Sequence, residues 1–143
     1  MSRQHAVTTA ELIYQAGQLE SKIIQRMLSD IGIRMDHARL LHYVGDIPGT
    51  NQANLAEYLN IQPATLTNMI KKLEKQNFII RRVDPDNPHM KQIFLLPEGE
   101  SAARKINSIF NQLNNIVASV HLENPDLLQQ LINLLEDKYR EQN

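Results

Sequence analysis

Between residues 62 and 91 the chain gathers Gln62, Thr65, Thr67, Asn68, Lys71, Lys72, Arg81, Arg82, His89 and Lys91, side chains that donate to oxygen or carry positive charge. An asparagine amide can pair with an adenine edge, and a threonine can meet a base or a thymine methyl. Lysine and arginine neutralise phosphates, which fixes register without reading sequence. The nearest approach to a metal set is Asp84, Asp86 and His89, but the stretch lacks the glycine and terminal glutamate of a calcium loop. Asx hydrogen bonding within a turn is the better reading of those residues. His37 and His42 are five apart and do not share a helix face. The chain shows no glycine-rich phosphate loop, no HExxH and no nucleophile elbow. No catalytic residue, metal site or cofactor is read from it, and an enzyme is not expected.

The formal net charge of the 143 residues is −1, which argues against general adhesion to nucleic acid. The distribution is uneven. Lys71, Lys72, Lys75, Arg81, Arg82 and Lys91 outnumber Glu74, Asp84 and Asp86, whereas acidic residues dominate from position 92 onward. With no cysteine, disulfide scaffolds, thiolate metal sites and thiol-based sensing are excluded. No apolar run approaches the roughly 18–20 residues that span a bilayer, and the opening MSRQHAVTTAEL has no signal-peptide core. A cytoplasmic protein with no membrane partner is expected.

The cationic cluster needs elements to hold it. Leu55, Ala56 and Leu59 put an apolar stripe on one helix, Asn51 is its expected cap, and Asn60 suits a left-handed helix end. Pro63 opens a second helix, where Leu66, Met69, Ile70 and Leu73 repeat at helical spacing and face inward. Ala64, Asn68, Lys71 and Lys75 then face out, flanked by Thr67 and Lys72. Two strands follow, about Ile79–Val83 and Gln92–Leu95, around Asp84-Pro85-Asp86-Asn87-Pro88.

The run LAEYLNIQPATLTNMIKKLEKQNFIIRRVDPDN with the following LLPEG resembles the MarR/SlyA family of winged helix-turn-helix bacterial transcription regulators. Only residues 51–99 are motif-specific, although the flanking helices fit the family's layout over nearly the whole chain. The resemblance implies a mainly α fold with a small β-hairpin: a winged helix-turn-helix lobe at 35–99 and dimerisation helices at 1–34 and 100–143. It implies a sequence-specific double-stranded DNA-binding regulator, a repressor acting as a homodimer on a pseudo-palindromic operator. The chain departs from the family pattern at Asn68, where arginine is common, and at Asn87 and His89, where relatives carry an Asp-x-Arg pair. Gln62 replaces the usual capping serine. Lys71, Lys72, Arg81 and Arg82 are assigned to phosphates, with a structural role at the hairpin base left open for Arg82.

The outer helices are expected at about Thr8–Ile31, from Met35 with Asp36 as cap to Val44-Gly45, from Pro97 through Val120, and after a break at Glu123-Asn124-Pro125. The first and last carry apolar arcs too wide for one contact, which favours an intertwined homodimer with Leu19, Ile23, Leu131 and Leu135 in its interface. The resemblance further implies a crevice for a small-molecule effector of unread class, bounded by Tyr14, Gln18, His37 and Leu41. Two other functions compete: a winged-helix module that binds protein without DNA, and a ligand-sequestering protein with a vestigial DNA lobe.

Overall fold

The computed structural model describes residues 7–120 and 125–142. Its order is α1 (Thr9–Ser29), α2 (Met35–Asp46), α3 (Gln52–Leu59), α4 (Pro63–Lys75), β1 (Ile79–Asp84), β2 (Asn87–Leu95), α5 (Pro97–Ala118) and α6 (Pro125–Glu141). The chain divides into two compact units, one running to Asn111 and the other starting at Gln112.

In the first unit, α2, α3, α4, the hairpin and the start of α5 enclose one core. Leu40, Leu41, Val44, Leu55, Leu66, Ile70, Ile93 and Ile106 are all fully buried in it. Helix α1 contributes Ile24 and Leu28 from its C-terminal half and leaves Leu12, Ile13, Leu19 and Ile23 exposed. Thr8 caps α1 by accepting from the Glu11 N–H at 3.1 Å. Asn51 caps α3 by accepting from the Asn54 N–H at 2.9 Å. Asp36 is not the cap of α2. The cap position is Arg34, two residues earlier, and the Asp36 carboxylate accepts from the His37 N–H within the first turn.

Both motif helices end on a left-handed asparagine. Asn60 has φ 53° and Asn77 has φ 61°, and the next residue's N–H reaches back to Ala56 and Leu73 respectively. A sharp reversal then delivers Phe78 to β1. The Phe78 peptide is held on both sides: its N–H donates to Leu73 at 3.0 Å, and its C=O accepts from Leu96 at 2.9 Å. The first turn of α5 rests on that same carbonyl. A Cβ added at Gly99 would lie 2.0 Å from the Phe78 oxygen, so only glycine fits.

The strands pair antiparallel from Ile79–Leu95 to Val83–Lys91, then shift register so that Asp84 faces Asn87. Strand β2 is thus longer than the Gln92–Leu95 read from the sequence. Pro88 is accommodated because it sits at the irregularity, where no ladder N–H is required. The turn is internally bonded: Asp84 accepts from the Asp86 N–H at 2.8 Å and Asn87 from the His89 N–H at 3.1 Å. Thr50 adds a bridge to Ile93, tying the entry of α3 to the hairpin. Helix α2 runs past Gly45 to Asp46, and Gly45 packs against the Leu95 and Ala103 side chains.

In the second unit the apolar residues of α6 are uncovered. No residue of that helix is buried, and Leu127, Leu134, Leu135 and Tyr139 are each more than half exposed. The break expected at Glu123-Asn124 lies outside the described residues, and α5 stops at Ala118, short of Val120. No helix among the described residues is long and apolar enough to cross a membrane.

Candidate nucleic-acid interface

Helix α4 is amphipathic in the sense its spacing demands. Leu66, Met69, Ile70 and Leu73 are buried, while Thr65, Asn68, Lys71, Lys72 and Lys75 are exposed and Thr67 is half-buried. Gln62 precedes the helix without making a capping bond, so its amide stays outside the fold. The outward face carries hydroxyl, amide and ammonium groups and no carboxylate; the one acid of the helix, Glu74, is turned toward the hairpin. Lys72 and Lys75 lie in the last turn, where positive charge opposes the helix dipole favourably.

The two arginines of β1 separate sharply. Arg81 is the structural one at the hairpin base: its Nη2 meets Glu74 at 2.8 Å and its Nη1 donates to the Gln52 amide oxygen at 3.3 Å. Arg82 points to the other face, exposed, with its guanidinium 5.7 Å from the Phe94 ring centre. The structural role left open for Arg82 thus belongs to its neighbour. His89 and Lys91 are exposed and share a notch with Arg81, Gln52 and Met90, between the start of α3 and the hairpin.

Two residues joined to this face were not found from the sequence. Gln52 and Glu74 hold Arg81, and Gln52 also reaches the Thr67 hydroxyl. The Gln52 contacts bridge 15 and 29 residues of chain, so no local spacing signals them.

Residues 33–88 match the MarR family model. Over that stretch the chain resembles the MarR family. MarR-family proteins are transcription regulators rather than enzymes, and this chain is similar to the uncharacterized HTH-type transcriptional regulator YwoH of Bacillus subtilis. The two are 28% identical over 95 residues, covering 66% of this chain and 69% of YwoH. MepR of Staphylococcus aureus, described as a transcription regulator of the multidrug efflux pump MepA, has the same fold. Its TM-score is 0.68 at 22% identity, covering 94% of this chain and 98% of MepR. The transcriptional repressor CouR, solved bound to a 23-mer DNA duplex, superposes with TM-score 0.68 at 15% identity, covering 92% of each chain.

The residues that the MarR resemblance assigned to an effector crevice do not converge in one protomer. Tyr14 and Gln18 bond to each other at 2.9 Å on the exposed side of α1, along a shallow depression with Ile13 and Lys22. His37 and Leu41 instead line a crevice of about 360 Å³ with Ile33, Phe78, Glu98 and Lys105. Sequence spacing could not separate them, because all four lie on inward or flanking positions of their own helices. Burial holds the His37 imidazole below its ordinary value of 6.5, with Arg34 and Lys72 acting the same way and Asp36 opposing. Among the described residues no group of three or more His, Cys, Asp or Glu side chains is arranged to hold a metal ion.

Of the residues expected at a dimer interface, Leu19, Ile23 and Leu135 are exposed and Leu131 is half-buried.

Proposed function

We propose that this chain is a MarR-type regulator, a homodimeric, sequence-selective binder of duplex DNA that acts as a repressor. The observation carrying the reading is the outward face of α4, with Thr65, Asn68, Lys71 and Lys72 exposed and no acid among them. A helix of that description fits a major groove, with Asn68 and Thr65 toward base edges and the lysines toward phosphates. Gln62, His89 and Lys91 add contacts at the margins of that face, and Arg82 serves phosphate from the opposite side of the hairpin. The similarity to CouR supports this, since that protein was solved on DNA. Residues 35–99 form the DNA-contacting lobe, and 1–34 with 100–143 supply the dimer helices. Two copies place two α4 helices about one helical turn apart on the operator, roughly 34 Å.

Selection of bound sites from fragmented genomic DNA, followed by titration of the selected duplex across salt, tests the proposal. The log of the affinity should fall steeply with log salt, and Lys71→Gln should flatten that slope by about one unit at every sequence. Asn68→Ala should instead relax preference at one base pair, by about 1–3 kcal/mol. Absence of salt-sensitive duplex binding at about 50 mM salt would return the chain to the class of protein-binding winged helices.

An effector that releases the operator would occupy the crevice beside His37 and Leu41. Its size, about 360 Å³, lies within the range of small-molecule sites. It touches α2, the end of α4 and the start of α5 together, so an occupant bears on the recognition helix directly. A compound that raises the melting temperature and weakens duplex binding, both effects vanishing in Leu41→Trp, would place the site there.

A further inference from the structure

We infer that Gln52 is a positioning residue for sequence selection, setting the angle of α4 against the hairpin without touching DNA itself. The inference rests on the DNA-binding reading above and extends it to residues that reading leaves out.

Gln52 is the first residue of α3 and lies half-buried between the two other elements of the lobe. Its amide oxygen accepts from Arg81 Nη1 at 3.3 Å, and its amide nitrogen donates to Thr67 Oγ1 at 3.4 Å. Arg81 is anchored in turn by Glu74 at 2.8 Å, and the Thr67 hydroxyl donates to the Pro63 carbonyl at 3.0 Å. One planar amide therefore joins α3, the first turns of α4 and β1.

The chemistry fixes which way that amide lies. A guanidinium only donates, so it must face the amide oxygen. A hydroxyl has one proton, and here it goes to Pro63, so Thr67 presents lone pairs and must face the NH₂. Reversing the amide sets donor against donor at one end and acceptor against acceptor at the other. Glutamine supplies both ends; methionine or leucine of similar length supplies neither.

Two consequences follow for recognition. Thr67 cannot donate to a base acceptor without abandoning Pro63, so it supports the helix from its inner flank while Thr65, Asn68 and Lys71 remain free to read. The outer nitrogens of Arg81 are both engaged, so it is an anchor of this chain of bonds. The two Gln52 bonds, at 3.3 and 3.4 Å, are longer than the usual N–H···O distance, so removing them changes fold stability little. Their effect is on orientation, and a tilt of α4 moves every reading side chain at once.

The test uses the full-length protein, the duplex selected by wild type and a panel of its single-base-pair variants at one salt concentration. For Gln52→Met, discrimination should shrink by up to about tenfold at several positions of the half-site together, with the salt slope and non-specific affinity unchanged. Thr67→Val, which cuts the same chain of bonds from α4, should give the same pattern. The double variant should be no worse than either single one, as expected for groups acting as a unit. Thermal melts confirm that each protein is folded, and the two variants do not depend on each other. Loss confined to one base pair makes the residue a direct reader and overturns the inference. A uniform loss with a flatter salt slope makes it a phosphate contact and overturns it equally, as does wild-type discrimination in both variants. Wild-type protein that selects no duplex at all overturns the DNA-binding reading instead, a result visible before any variant is made.

Discussion

On α4, Leu66, Met69, Ile70 and Leu73 recur at three- and four-residue steps and are almost wholly buried. On α6, Leu127, Leu128, Leu131, Ile132, Leu134 and Leu135 recur in the same manner, and no residue of that helix is buried. The periodicity is alike, so the difference lies in what surrounds each helix. The stripe of α4 is four residues wide and is met by β1, α3 and the rest of the lobe. That of α6 covers a wider arc, and its leucines remain open in a single chain. An apolar surface of that extent is where soluble proteins associate. The winged lobe buries its stripe within one polypeptide, whereas α6 leaves its own uncovered, as the proposed homodimer requires.

The largest effect should come from attacking the uncovered helix. Leu131→Asp with Leu135→Asp should raise the dimer dissociation constant more than about a thousandfold, because each buried leucine contributes about 1.5–3 kcal/mol and a symmetric interface counts each twice. Sedimentation equilibrium reads this directly. A wild-type chain that sediments as a stable monomer at micromolar concentration would break the comparison, leaving α6 exposed in solution.

The opposite probe strikes the completed lobe. Gly99→Ala forces a methyl into the Phe78 carbonyl and should destabilise folding by about 3 kcal/mol, seen as a lower urea midpoint with an unchanged m-value. Normal stability in that variant would show that α5 can shift off the hairpin entry.

A finer test contrasts adjacent arginines. Arg81→Ala breaks a mostly buried ion pair and should cost about 2 kcal/mol of stability. Arg82→Ala should stay within about 0.5 kcal/mol of wild type while flattening the salt dependence of duplex binding. Equal melting temperatures for the two would remove the distinction.

The residues themselves explain which parts were legible beforehand. The α4 stripe, the Asn51 cap and the left-handed Asn60 are local, each decided within about one turn of chain. The assignment of Arg81 and Arg82 was not local. Successive strand residues face opposite sides, so the choice depends on whether Ile79 or Ile80 points inward. Ile79 is fully buried, and Arg81 shares its face. Only tertiary packing sets that parity, just as it sends Tyr14 and His37 to different depressions. Asp36 was mistaken for a cap because aspartate is equally at home inside a first turn, where its charge also suits the dipole.

The smallest predicted effect concerns His37. Its folded imidazole is held below the ordinary 6.5, chiefly by burial, so the neutral form belongs to the folded state. The stability this contributes is complete above pH 6.5 and is lost as pH falls through the lowered folded value. In His37→Asn that acid-side loss should disappear, making urea midpoints at about pH 7.5 and about pH 5.5 more nearly equal than in wild type. An undiminished wild-type slope in the variant would assign the acid sensitivity to other groups.

The Phe78 peptide joins the end of α4 to the beginning of α5 by hydrogen bonds on either side, with Gly99 seated on its oxygen. A joint of that kind has no slack. The first turn of α5 cannot pivot while α4 stays still, because any sliding would open the bond from Leu96 or press Gly99 into the carbonyl. Force applied to the first turn of α5 therefore reaches α4 as rotation of the whole lobe, and the geometry favours a lever over a bending spring. The reach of such a lever is set by rigid-body movement, so the lobe can turn as one piece while the side chains on the outer face of α4 keep their arrangement.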